Sequence, residues 1–223
     1  MGYRTLGQPM RYQIFFIALC IMTILNGPEA IAQNKVKLPT SFQKPILDEL
    51  KPFYAPSEGQ TEDLLNGEVI SIGKVTSPTS KEQQMMLFVS GMHVRNCQRV
   101  MRKLSLYENY SSYMDFIKKS SYDEKKQEIN FVMDHTLLPF PMVLTFKLPR
   151  ITKAGKYPFT FDHGFLKNLK GTIAVADVGK YCLLTMKTDW RGPESRIPNL
   201  AFEMFIQTVG KLGLEHLIRV SYL

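Results

Sequence analysis

Between residues 128 and 186 apolar side chains recur at every second position, and this period of two constrains the fold more than any other feature of the chain. Ile129, Phe131 and Met133 alternate with Asn130, Val132 and Asp134. Met142, Leu144, Phe146 and Leu148 alternate with Val143, Thr145 and Lys147, and Tyr157, Phe159 and Phe161 with Pro158, Thr160 and Asp162. Ile173 and Val175, then Cys182, Leu184 and Met186, continue the series. Short turns separate the runs at Asp123-Glu124-Lys125, Pro139-Phe140-Pro141, Lys153-Ala154-Gly155 and Val178-Gly179-Lys180. Spacing of this kind predicts consecutive antiparallel strands with one buried face. A further short strand is expected over Lys118 to Tyr122.

The flanks have other periods. Gly67 to Thr76 and Gln84 to Ser90 read as strands, with a turn at Ser77-Pro78-Thr79-Ser80. Val94, Cys97, Val100, Met101 and Leu104 share one face of an expected helix, and a second short helix is expected over Tyr107 to Phe116. After Pro198, which suits a first helical position, Leu200 to Arg219 is long enough for a closing helix. Phe202, Phe205, Ile206, Val209, Leu212, Leu217 and Val220 give that helix a broad apolar face. Gly210 and Gly213 each cost roughly 1 kcal/mol relative to alanine in a helix. They are tolerated where a helix approaches a sheet or a ligand closely, or where it kinks.

The first residues read as an export signal. Arg4 and Arg11 precede an uncharged apolar run from Ile14 to Leu25, and Ala30-Ile31-Ala32 offers a small-x-small cleavage pattern. The domains expected are a signal peptide over 1–32, a partly helical leader over 33–66 that packs on the domain or links it to a membrane, and one domain over 67–223. The localisation expected is periplasmic or secreted, with an uncleaved membrane anchor as the alternative. Beyond Cys20, Cys97 and Cys182 remain, and they either pair in an oxidising compartment or lie as buried thiols. The formal net charge is +8, and removing Arg4, Arg11 and Glu29 with the signal lowers it by one. In an exported protein such charge meets anionic headgroups or envelope polymers rather than nucleic acid, or is simply a solvated surface.

No nucleophile elbow, phosphate-cradling glycine loop or Cys/His metal spacing is present, so no catalytic residue, metal or cofactor is assigned. Asn109-Tyr110-Ser111 fits a glycosylation sequon. Asp134-His135 and Asp162-His163 stand out as paired dipeptides. Alternation places His135 on the Phe131 face and His163 on the Phe161 face. They are read as strand-end histidines near solvent, as contacts to a ligand's polar head, or as an acid–base or metal pair.

Three stretches carry a family resemblance: Leu104-Ser105-Leu106-Tyr107-Glu108-Asn109-Tyr110-Ser111-Ser112-Tyr113-Met114 between the short helices, Leu138-Pro139-Phe140-Pro141 before the middle strands, and the helix from Asn199 to Leu217. In this order they resemble the START-like (SRPBCC) helix-grip superfamily, related to polyketide cyclases and coenzyme Q-binding proteins. The resemblance implies an α+β fold in which a curved antiparallel β-sheet wraps around a long C-terminal α-helix, with two short helices after the first core strand. It also implies a cavity between sheet and helix that holds a hydrophobic ligand such as a lipid, quinone or sterol-like molecule.

The expected lining is Phe131, Met133, His135, Leu144, Phe146, Phe159, Phe161, His163 and Met186 from the sheet, with Phe202, Phe205 and Val209 from the helix. Lys147, Arg150, Lys153 and Lys156 surround one hairpin turn and are candidates for peripheral contact with an anionic membrane. The expected function is therefore an exported, monomeric binder or carrier of a hydrophobic small molecule, with no nucleic-acid partner. The alternatives are a cyclase- or hydratase-type enzyme on the same fold, or a non-catalytic interaction module with a filled core.

Overall fold

The computed structural model describes residues 43–51, 57–134, 141–164, 166–195 and 197–222. The expected signal peptide over 1–32, His135 and the Leu138-Pro139-Phe140 stretch lie outside the described residues. Those described fall in one packed unit that spans Val36–Leu223.

Eight strands form one antiparallel sheet: β1 (Ile70–Thr79), β2 (Glu82–His93), β3 (Ile117–Asp123), β4 (Glu128–Met133), β5 (Met142–Lys147), β6 (Gly155–His163), β7 (Lys170–Val178) and β8 (Tyr181–Pro193). Their order across the sheet is β1-β2-β8-β7-β6-β5-β4-β3. The period-two runs thus become a six-strand meander from β3 to β8, and β8 then pairs with β2 from Glu82↔Pro193 to His93↔Cys182. The expected turn at Ser77-Pro78-Thr79-Ser80 is mostly strand, since β1 continues through Thr79. Pro78 is tolerated there because β1 is an edge strand and its missing N–H is not needed for a ladder.

The β1–β2 hairpin leads into α3 (Cys97–Leu104), a 3-10 turn (Tyr107–Asn109) and the single-turn α4 (Tyr110–Tyr113). Asn96 caps α3 by accepting the Arg99 N–H, so the helix begins after Val94, which joins a different cluster. The remaining residues of the expected face, Cys97, Val100, Met101 and Leu104, are all buried. The chain closes with α5 (Asn199–Val220), which runs without interruption through Gly210 and Gly213.

The sheet separates two apolar clusters. On its inner face α3 and α5 pack with Leu87, Val89, Phe131, Leu144, Phe159 and Leu184. On the outer face two N-terminal helices, α1 (Gln43–Leu50) and α2 (Glu58–Leu65), bury Ile46, Leu50, Leu64 and Leu65 against Phe88, Met92, Val178 and Leu183. Ser57 and Gln60 form a reciprocal capping box at the start of α2. The described part of the expected leader therefore packs on the domain, and the edge drawn at residue 67 does not mark a boundary of packing. Coverage on both faces explains why β2 is buried at consecutive positions from Leu87 to His93 instead of alternating.

Cys97 and Cys182 form a disulfide with their Cα atoms 4.7 Å apart. It ties the first turn of α3 to β8, and both residues are fully buried.

Candidate functional site: a cavity between sheet and closing helix

The position of α5 follows from three glycines. A β-carbon at Gly73 would lie 2.9 Å from Ile206 Cδ1, one at Gly91 3.0 Å from Leu214 Cδ2, and one at Gly210 2.8 Å from Val89 Cγ2. The helix is thus seated closely on the β1–β2 side, where Ile206 and Ile218 are buried. A β-carbon at Gly213 would meet nothing within 4 Å. Across from that open space the sheet curves away, and the gap between α5 and the β4–β8 face is a cavity of about 360 Å³. Its size falls within the range of small-molecule sites, which are concave and mostly apolar.

One wall is aromatic. Tyr110 stacks on Phe131 at 5.7 Å between ring centroids, Phe131 meets Phe146 edge-on at 5.5 Å, and Phe146 stacks on Phe161 at 4.8 Å. Phe159 closes the series 6.0 Å from Phe161. Five methionines, Met85, Met101, Met133, Met142 and Met186, supply flexible, polarisable surface around it. From α5 come Phe205, Val209, Gly213 and Leu217, all only partly buried.

Of the residues expected to line a cavity, Phe131, Met133, Leu144, Phe146, Phe159, Phe161, Met186, Phe205 and Val209 are in its wall. Phe202 is not: it is fully buried edge-on to Trp190, 6.0 Å between centroids, and fills the core beside the cavity. His163 is exposed and also stands outside the wall. The cause is a register shift between β5 and β6, where Thr145 pairs with His163 but Phe146 pairs with Phe161. Asp162 is the extra residue, and this bulge breaks the alternation that would have carried His163 to the Phe161 face. Asp162 instead forms an ion pair with Lys147 at 3.0 Å.

The expected basic hairpin tip is altered as well. Arg150 is turned back into the fold: its guanidinium binds Glu108, Glu124 and the Ser105 carbonyl and lies 4.5 Å from the Tyr122 ring centroid. Lys147 is engaged with Asp162, and the side chains of Lys153 and Lys156 lie at the surface. A salt-bridged, partly buried guanidinium is poorly placed to meet a membrane surface.

Other wall residues were not foreseen. Met85, Leu87 and Val89 come from β2, Met101 and Leu104 from α3, Tyr107 from the 3-10 turn, and Ile151 from the β5–β6 loop. The Met-x-Leu-x-Val alternation of β2 was the available signal for the first three. Tyr107 Oη donates to the Pro149 carbonyl and accepts the Ile151 N–H, each at 3.1 Å, and Tyr110 Oη donates to the Leu104 carbonyl at 2.6 Å. Burial pushes both phenols well above the ordinary tyrosine value.

A buried histidine lies outside the cavity. His93, fully buried at the end of β2, accepts the Arg95 N–H through Nδ1 at 2.9 Å, and its ring lies 4.3 Å from that of Tyr222, tilted by 31°. Its Nε2 has no hydrogen-bond partner among the described residues. Desolvation and the nearby Arg95 charge lower its pKa to about 4. Among the described residues no His, Cys, Asp or Glu cluster comes together that could hold a metal.

No family model matches the chain, and no curated protein matches its sequence. Solved structures do match. The aromatase/cyclase Zhui from Streptomyces sp. R1128 superposes with a TM-score of 0.51 at 8% identity, over 62% of this chain and 94% of its own. A protein from Thermus thermophilus gives a TM-score of 0.51 at 12% identity, over 61% and 97%. A START superfamily protein from Mycobacterium smegmatis gives 0.46 at 12% identity, over 60% and 92%. At such identities the likeness is one of fold. An eight-strand antiparallel sheet, two short helices after the first hairpin and a long closing helix over the inner face agree with the two structures that superpose above 0.5, and the protein has an α+β helix-grip fold.

Proposed function

We propose that this protein binds and carries a hydrophobic small molecule in the cavity between α5 and the sheet, and performs no covalent chemistry on it. The observation that carries this reading is the make-up of the wall. A cavity of about 360 Å³ is bounded by phenylalanines, methionines and aliphatic side chains. Its titratable groups among the described residues are the phenols of Tyr107 and Tyr110, which burial holds protonated at neutral pH. Ring-closing catalysis, which the name of Zhui would suggest, needs an acid or base of matched pKa facing the substrate. The described wall supplies none. Apolar surface removed from water contributes about 25 cal/mol per Å², so an apolar ligand is favoured by burial alone.

The carrier would work outside the cytoplasm. The N-terminal charge pattern and apolar run support export, and the Cys97–Cys182 disulfide suits an oxidising compartment. Transfer to a membrane is part of this reading, but it does not rest on the hairpin cations, since Arg150 and Lys147 are engaged within the fold.

Native mass spectrometry of the protein purified from its own host, followed by organic extraction, tests the reading. A co-purifying apolar molecule, lost when Phe131→Trp and Phe161→Trp fill the cavity, is the expected result. A clean unliganded mass with no uptake from a total lipid extract would count against it.

A further inference from the structure

The polar atoms of the cavity wall are already committed. Tyr107 Oη both donates and accepts within the fold, and Tyr110 Oη donates to a backbone carbonyl. Thr185 Oγ1 shares a hydrogen bond with Ser90 Oγ at 3.1 Å. Thr188 Oγ1 donates to the Leu87 carbonyl at 3.5 Å, the outer limit for such a bond. The strand N–H and C=O groups around them are spent in the β2–β8, β4–β5 and β7–β8 ladders. A ligand hydroxyl or carboxylate drawn into this space gives up its water and meets, in the described wall, no free donor other than the loosely held hydroxyl of Thr188. Leaving a buried hydroxyl unpaired weakens binding on the order of tenfold or more.

The open side lies elsewhere. Wall residues that are partly exposed include Phe205, Val209 and Gly213 on α5 and Phe146, Phe161 and Ile173 on the facing strands. By contrast Met85, Leu104, Ile129 and Phe159, deeper in the wall, are buried.

Building on the proposed binding role, we infer that the ligand enters by its hydrocarbon portion alone, with its polar group left in water at the opening between α5 and β5–β7. The protein then selects by the length and bulk of the hydrocarbon and is indifferent to the head group. The aromatic wall and the five methionines adapt to such a moiety through dispersion and sulfur–aromatic contact, neither of which needs a fixed donor. A cavity of about 360 Å³ lies in the range of small-molecule sites, and dodecyl compounds serve to probe it.

The test is competition against the fluorescent probe N-phenyl-1-naphthylamine on the full protein. Dodecanoate, dodecan-1-ol and methyl dodecanoate share one chain and differ in head group. They are expected to displace the probe with affinities within about threefold of one another. 12-Hydroxydodecanoate, which carries a hydroxyl to the deep end, is expected to be at least tenfold weaker. A tenfold spread among the three head groups, or equal binding of the hydroxy acid, overturns the inference and leaves the carrier reading intact. Failure to take up the probe or any dodecyl compound overturns both.

Discussion

Gly210 of α5 and Val89 of β2 stand so close that a β-carbon added to the glycine would lie 2.8 Å from Val89 Cγ2. One turn further along the same helix, Gly213 faces open space beside the cavity. Two glycines that look equivalent in the chain therefore have opposite roles. The first seats the helix on the sheet, and the second leaves volume free. Gly213→Ala is expected to raise stability by about 1 kcal/mol through helix propensity. Gly210→Ala is expected to lower it, because the gain in propensity is outweighed by the collision with β2. Urea denaturation of the two variants checks the opposite signs.

Phe202 and Phe205 make a second such pair. Phe202 is sealed against Trp190, so Phe202→Ala is expected to cost about 3–5 kcal/mol of stability. Phe205 is partly exposed in the cavity wall. Phe205→Ala is expected to cost less than half as much stability and to weaken uptake of N-phenyl-1-naphthylamine severalfold. Thermal melts and probe titration on both variants separate the roles.

The buried His93 makes stability depend on pH. Its folded pKa of about 4 lies below the ordinary 6.5, because desolvation and the Arg95 cation disfavour the charged ring. Between those values the unfolded chain binds a proton that the folded one does not, so stability from this group is present above pH 6.5 and is lost as pH falls towards 4. The loss is expected to be about 3 kcal/mol across the window. The charged or titratable neighbours that face the ring are Arg95 and Tyr222. Unfolding free energies at pH 7, 5.5 and 4.5 should show a shallower decline in His93→Gln than in the parent.

The disulfide closes a loop with a sequence separation of 85, and loop closure of that length is worth roughly 2–5 kcal/mol. The Cys97→Ala/Cys182→Ala double variant is expected to lose stability of that order. Neither cysteine lines the cavity, so a variant kept below its melting temperature should still bind the probe.

The strand meander was legible because its period of two runs through residues with one buried face, as in β4, where Ile129, Phe131 and Met133 are buried. Such patterning fails at single-residue irregularities. The bulge at Asp162 has no marker in the chain, yet it moves His163 from the expected cavity face to solvent. Phe202 fell on the apolar face of α5 as expected. Whether an apolar face meets a neighbouring ring or an open cavity depends on the spacing between elements, and periodicity holds no information on that. The outer layer was half legible: a partly helical leader was expected, but only the contacts of Ile46, Leu50 and Leu64 with β2 and β8 show what it covers. The contribution of Tyr107, Tyr110 and Ile151 to the wall depends on how the loops fold back over the sheet, which local sequence does not encode.

The proposed ligand site is the space between α5 and the sheet. A crystal of the protein soaked in 1-bromododecane would reveal its occupant through the anomalous signal of bromine. Ordered chain density is expected between Phe146, Phe161 and Gly213, with a bromine peak at one end of it. An empty cavity, with bromine absent or bound only at the outer surface, would rule the carrier reading out.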